Sequence, residues 1–477
     1  MGDVTEKGTL SPITSASTNR YENKALVDPF VMEISAGLFT TSQEPEPEYL
    51  APLWSAHIHP EGQLYFCREG PLLRVITEAY LYRHETFEIT CRWIAHIECL
   101  LSEVEITVSG DLELFVQLEG QNCAYYFVDH ATCAQFWLEN SDTERLGLDP
   151  VTSTSQLKIV LEELYWLHVE HFPMHLPALP SQKLEEIISI FSHGLCDQMT
   201  SRVSTFVYTA QDCKVFVDIL RGCKDNMNNG HTTWIIARLW SIIDHNKRLT
   251  FYGQEHSRLS RDQSILWDPE QKYPRISTIL ALLTFKTSGI HQTRLDDVFV
   301  DHMVYADRWE QLVGDCLKQW RASASGAFAG LVLHLPFLVL KSPCPPLLAA
   351  STALLSSALG SSILLDHRYE PMERYSATDA MNYLESIQSP IFKFQFTALA
   401  FSLPKALLLW GYLLLFANCL LLVAKYLGPR TASGLGGLAL IVVIALYSTT
   451  SATFCDALEN FTTLFRRQGK IPAPEFV

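Results

Sequence analysis

Tyr126-Phe127-Val128-Asp129-His130-Ala131-Thr132-Cys133-Ala134-Gln135-Phe136-Trp137 alternates in a way that commits this part of the chain to extended backbone. Tyr126, Val128 and His130 project from one face of a strand and Phe127 from the other. Asp129-His130-Ala131-Thr132 supplies turn chemistry, because Asp tolerates left-handed backbone and bonds its own main chain, and Ala134 to Trp137 returns as a second strand. The hairpin so formed carries Tyr126 near Trp137 on its concave face. Two flat aromatic surfaces with polar edges can clamp a polyproline II segment, which is already extended and loses little entropy on docking. The competing reading is a hairpin that buries the same aromatics in a larger domain.

Working outward, Leu112 to Leu118 alternates as a strand and pairs with Cys123 to Val128 across Glu119-Gly120-Gln121-Asn122. Before it, His84 to Val104 places Phe87, Ile89, Trp93, Ile94, Ile97, Leu100 and Leu101 on one stripe, the pattern of an amphipathic helix. Earlier still stand Leu50-Ala51-Pro52-Leu53-Trp54 and Gly62-Gln63-Leu64-Tyr65-Phe66, with Tyr65 eleven positions after Trp54.

Tyr126 to Trp137 resembles strands two and three of a WW domain, with matching spacing and no gap. That resemblance implies a ligand groove for proline-rich segments built from Tyr126, Trp137, Val128, His130 and Gln135, with Phe127 on the structural face and Phe115 in place of the strand-one tryptophan. Asn140 stands where the family has proline. The segment around Trp54, Gly62, Tyr65 and Phe66 resembles the amino-terminal half of a second copy, but Ile76 occupies the place of its groove tryptophan. The order of segments also resembles an uncharacterised fungal family of membrane-anchored WW-like proteins.

A net charge of -16 and the lack of any basic stripe exclude nucleic acid as a partner on electrostatic grounds. The twelve cysteines form no CxxC pair and no dense framework, which fits a reducing compartment. Met1 to Arg20 lacks the apolar core of a secretory leader. Residues 1–45 read as a disordered tail ending in the acidic, proline-rich Glu44-Pro45-Glu46-Pro47-Glu48-Tyr49, whose Pro47-Glu48-Tyr49 is a partial WW ligand.

The fold class expected is α+β. Small WW-like hairpins at 46–79 and 80–150 precede an all-helical domain at 151–325, then a membrane region at 326–455 and a tail at 456–477. Helices are expected over Leu157 to His171, Leu184 to Met199, Thr209 to Leu220 behind a capping box, Thr232 to Asn246, and Thr293 to about Trp320. Gly326 to Leu340, Pro346 to Leu365, Leu407 to Val423 and Leu435 to Ala452 are almost free of charge, and the last three approach the ~20 residues needed to cross hydrocarbon. The first holds His334 and Pro336, and either spans or pairs with the second as a re-entrant hairpin. Phe392 to Leu403, interrupted by Lys393, reads as interfacial.

With four spans, Lys318, Arg321, Arg368, Arg374, Arg466, Arg467 and Lys470 share the side of both termini, which the positive-inside rule makes cytoplasmic. The sequon Asn460-Phe461-Thr462 then stays unmodified. His168, His171 and His175 are spaced three and four apart and are the metal candidates; Pro173 inside the run favours a histidine-rich helix end instead. No elbow, P-loop, GxGxxG or HExxH motif appears, and no cofactor is expected. The leading expectation is a non-catalytic, multi-pass membrane-anchored protein that binds proline-rich segments. The alternative is a membrane-associated enzyme, lipid- or metal-dependent, with its site near His168, His171 and His256 in the helical region.

Overall fold

A computed structural model describes residues 8–22, 26–38, 40, 50–70, 73–104, 111–266, 276–340 and 342–449. Contacts divide the chain into two units, Met1–Trp267 and Asp268–Val477. The partial ligand Pro47-Glu48-Tyr49, the sequon at Asn460 and the cations Arg466, Arg467 and Lys470 lie outside the described residues.

The amino-terminal unit is a seven-stranded mixed sheet with helices on both faces. Its strands are β1 (Leu10–Pro12), β2 (Trp54–Ile58), β3 (Leu64–Arg68), β4 (Leu73–Thr77), β5 (Leu112–Glu119), β6 (Asn122–Asp129) and β7 (Ala134–Phe136). They run in the order β1-β6-β5-β4-β3-β2, with β7 also on β6. The pairing expected between Leu112–Leu118 and Cys123–Val128 forms, from Leu112↔Asp129 through Glu119↔Asn122, and the segment read as a first hairpin pairs from Trp54↔Arg68 through Ile58↔Leu64. They are not separate modules, because helix α1 (His84–Glu103) carries the chain from β4 to a parallel β5 and joins both hairpins into one sheet.

Period-two alternation sorts the side chains into two layers. Leu112, Leu114, Val116, Tyr125 and Phe127 pack with Ile89, Trp93, Ile94 and Ile97 of α1. On the opposite face Tyr65, Cys67, Ile76, Phe115, Tyr126 and Val128 share a core with helices α2 (Thr154–His171), α3 (Ser181–Thr200), α4 (Ala210–Gly222) and α5 (Gly230–Leu249). The helices expected as a domain from residue 151 therefore complete the sheet's second face. Ser153 caps α2 by accepting from the Gln156 N–H, and Thr209 with Asp212 forms the expected capping box of α4.

The carboxy-terminal unit is helical: α6 (Ile276–Leu283), α7 (Thr287–Val298), α8 (Ala306–Val332), α9 (Leu335–Leu340), α10 (Pro345–Tyr369), α11 (Ala377–Ile387), α12 (Gln395–Leu427) and α13 (Pro429–Thr449). The single helix expected from Thr293 to Trp320 is broken: Asp301 and His302 take left-handed backbone at φ of 50° and 60°, inside a bridge between Val300 and Met303. Asp and His are among the residues that tolerate this region.

Among the described residues, three helices are long and apolar enough to cross a membrane, Pro345–Tyr369, Gln395–Leu427 and Pro429–Leu446. The apolar run from Gly326 does not form its own helix; it is the end of α8 followed by α9. Phe392 to Leu403, read as interfacial, instead leads into α12, which continues through Pro404 and Lys405. Small residues let these helices approach. A side chain at Gly411 would meet Leu355 Cγ at 2.7 Å, and one at Gly330 would meet Leu355 Cδ1 at 2.9 Å. Two polar side chains bond main-chain carbonyls there: Ser351 Oγ donates to the Gly411 carbonyl (2.7 Å), and His334 Nδ1 bonds the Gly330 carbonyl (2.7 Å).

Candidate functional site

Strand β6 presents two surfaces, its inner face and its outer edge. The inner face holds three residues expected in the proline groove. Tyr126 and Val128 are fully buried, and His130 is nearly so. Tyr126 stacks on Phe115 at 4.8 Å, and its hydroxyl hydrogen-bonds His168 Nδ1 at 3.0 Å. An open face there would leave this aromatic column in water; α2 covers it. Burial pushes the Tyr126 phenol well above its ordinary value.

Beside Tyr126 lies a carboxylate that sequence reasoning passed over. Glu113, in the middle of β5, has no solvent exposure. Its Oε2 accepts from His130 Nε2 at 2.9 Å and from Arg74 Nε at 3.4 Å. Its Oε1 accepts from His168 Nε2 at 3.1 Å. His175 Nε2 lies 3.0 Å from the same oxygen, yet outside hydrogen-bonding geometry, so this buried nitrogen has no partner. The signal available in the sequence was a charged residue inside the apolar alternation Leu112-Glu113-Leu114-Phe115.

Each imidazole is gripped from behind by a phenol. Tyr126 bonds Nδ1 of His168 at 3.0 Å, Tyr65 bonds Nδ1 of His175 at 3.2 Å, and Tyr165 bonds Nδ1 of His130 at 3.3 Å. Tyr65 also accepts the Met174 N–H at 2.9 Å, which fixes the turn carrying His175. Burial alone would raise the Glu113 carboxyl, but the charge of His175 beside it and the hydrogen bonds from His130 and His168 outweigh it and hold Glu113 well below the usual carboxylate range. Burial lowers His168. The donor atoms of Glu113, His130 and His168 all lie within 4.8 Å of one another, a spacing that could hold a metal ion.

Of the three histidines singled out by spacing, the structure brings His168 and His175 together and sends His171 elsewhere. Pro173 ends α2 and turns His175 back toward the sheet. His171 packs against Tyr21 (6.3 Å between rings), and its backbone carbonyl accepts from Arg20 Nη1 at 3.0 Å. His256, the third histidine of the enzyme alternative, is exposed on the loop after α5, 3.4 Å from Thr152 Oγ1.

The outer edge of β6 is divided. Phe127 to Asp129 pair with β7, whereas Cys123 to Tyr125 pair in parallel with β1, so that Pro12 lies opposite Tyr125. Proline is tolerated here because β1 is an edge strand and needs no further N–H. The chain from Ile13 onward crosses the remaining expected groove residues. Trp137 Nε1 donates to the Ile13 carbonyl at 2.6 Å, and the Ser15 N–H donates to Gln135 Oε1 at 3.3 Å. Ser15 Oγ donates to the Leu164 carbonyl at 2.6 Å, and Arg20 Nη1 pairs with Glu78 at 2.6 Å. Phe127 stacks on Phe136 at 5.2 Å on the α1 side. In the first hairpin Trp54 sits edge-on to Phe87, Tyr65 and Phe66 are fully buried, and Gly62 takes φ of +99° at the turn.

No family model matches the chain, and neither a curated protein nor a solved structure is similar to it.

Proposed function

We propose that the chain is a membrane-attached, non-catalytic interaction protein that takes extended, proline-containing segments along the outer edge of β6, with Trp137 and Gln135 as the side-chain contacts. The observation that carries this reading is the indole of Trp137 donating to the carbonyl of Ile13, directly after Pro12 on a strand added to β6. The chain's own amino-terminal segment stands in for a ligand: main-chain pairing supplies affinity and the indole selects the segment's register. Tyr126, Val128 and His130 then serve as architecture, not as contacts. A partner must displace the resident segment, so its apparent affinity is reduced by the fraction of molecules with the edge open.

Membrane attachment rests on the three apolar helices. We read the end of α8 with α9 as a fourth crossing segment. Arg321 pairs with Asp366 and Glu370 at one end of the α8–α10 pair, while Tyr412 Oη donates to the Gly326 carbonyl further along. Four crossings put the amino-terminal unit on the side of Arg321, Arg368 and Arg374, the cytoplasm by the positive-inside rule.

The test is a titration of a labelled peptide carrying the sequence of residues 8–20 against the full chain. Arg20→Met, which frees the resident segment's anchor, should bind it more tightly than wild type, and Trp137→Ala should not bind it. Equal binding by all three removes the proposal. The enzyme alternative would be favoured by an activity lost on mutating His168.

A further inference from the structure

We propose that Glu113, His130, His168 and His175 form a closed, four-ligand site for a divalent first-row transition metal of the zinc class. The proposal stands apart from the recognition reading, since it uses the inner face of the sheet only.

Four parts of the chain meet at Glu113: β5 brings Glu113 itself, the β6–β7 turn His130 and the end of α2 His168, whose donor atoms lie within 4.8 Å of one another, and the turn after Pro173 brings His175 Nε2 to 3.0 Å from Glu113 Oε1. Three imidazole nitrogens and one carboxylate are a donor set suited to zinc and its neighbours, and four protein ligands make the closed tetrahedron of a structural site. The three Nε2 atoms lie 2.9, 3.1 and 3.0 Å from the carboxylate oxygens. A tetrahedral ion with bonds of ~2.0–2.1 Å spaces its donors a few tenths of an ångström wider. Small rotations of the side chains supply that.

Two observations favour an ion over a carboxylate merely held by hydrogen bonds. His175 Nε2 is aimed into the cluster with its side chain 1% exposed, and it has no hydrogen-bond partner. An ion would satisfy that nitrogen. All three imidazoles also have Nδ1 held by a phenol oxygen, which orients each ring with Nε2 toward the cluster; on ligation Nδ1–H donates to the phenol oxygen and Nε2 gives up its proton to the ion. The cation nearest the site, Arg74, is balanced by Asp111 at 2.7 Å.

With no open coordination position the ion is a weld. It ties β5, the β6–β7 turn and the end of α2 together, so that binding energy becomes folding energy of the amino-terminal unit.

The experiment is a Co²⁺ titration of the purified, chelator-stripped full chain in detergent, read by visible ligand-field absorption and followed by Zn²⁺ displacement. The result expected is one Co²⁺ per chain with intense tetrahedral bands, bleached by Zn²⁺. His175→Gln should lose the bands, His256→Gln should keep them, and Tyr126→Phe should weaken binding by roughly 10–100-fold. Far-UV circular dichroism of each variant separates loss of the site from loss of the fold. Folded wild type that takes up no Co²⁺, or a folded His175→Gln that retains the bands, overturns the assignment.

Discussion

The hydroxyl of Tyr126 lies 3.0 Å from Nδ1 of His168, and this bond decides how β6 is used. An aromatic that the local pattern offers to a ligand is committed to α2 instead, which leaves only the outer edge of the strand for the recognition we propose. Tyr126→Phe should therefore leave peptide binding unchanged while costing ~0.5–1.5 kcal/mol of stability through the lost hydrogen bond. Denaturant unfolding beside a peptide titration checks both halves. Loss of binding without loss of stability would restore Tyr126 to the groove.

Glu113 should be among the most sensitive positions in the amino-terminal unit. Glu113→Ala leaves Arg74, His130, His168 and His175 facing an empty buried position, and removing one partner of such a network costs ~3–5 kcal/mol. A loss below ~1 kcal/mol in urea unfolding would show that the network is not under tension.

Acid should loosen the same unit. Burial and then Arg20 hold His171 well below its usual 6.5, and burial lowers His168. Both stay neutral when folded and gain a proton on unfolding. Their contribution is present above pH 6.5 and is lost as pH falls below it toward their folded values. Glu113, held below its usual 4.5, adds a loss further down as pH falls through its own folded value. Asp244 opposes them: raised to about 6 by burial, its contribution is full below 3.8 and is lost as pH rises through about 6. Burial also lowers His57 and His59 and raises Glu78 and Glu170, so four lowered histidines stand against three raised carboxyls, and the unfolding midpoint should fall as pH drops from 7 to 5. His171→Gln should flatten that slope by up to ~1.4 kcal/mol per pH unit. A midpoint independent of pH contradicts this.

In the carboxy-terminal unit Gly411 lets α12 pack closely on Leu355 of α10. Gly411→Val should cost ~1–3 kcal/mol by overpacking against Leu355, and Leu355→Ala should recover part of it. Additive losses in a thermal double-mutant cycle would remove the contact as the cause.

Local order was legible in the sequence wherever a segment satisfies itself. The stripe of α1, the capping box at Thr209 and the Glu119–Asn122 turn each carry their own hydrogen-bonding or burial logic. What was not legible depends on residues far apart in the chain. Leu10–Pro12 is too short to announce a strand, and its partner lies more than a hundred residues on. The parallel pairing of β4 with β5 leaves no turn signal. His168 and His175 looked like neighbours of His171 on one helix because helical spacing is the only geometry a sequence displays directly. Glu113, which selects two of the three, sits on another element altogether. The break at Asp301-His302 was hidden because the apolar stripe of Leu295, Val298 and Trp309 continues across it.

The most direct test of the recognition reading is an array of proline-containing peptides probed with the full chain in detergent, side by side with Trp137→Ala. The account predicts that wild type selects extended peptides with proline preceding an aliphatic residue, as Pro12 precedes Ile13, and that Trp137→Ala selects none. Retention of the same peptides by a folded Trp137→Ala protein would contradict it.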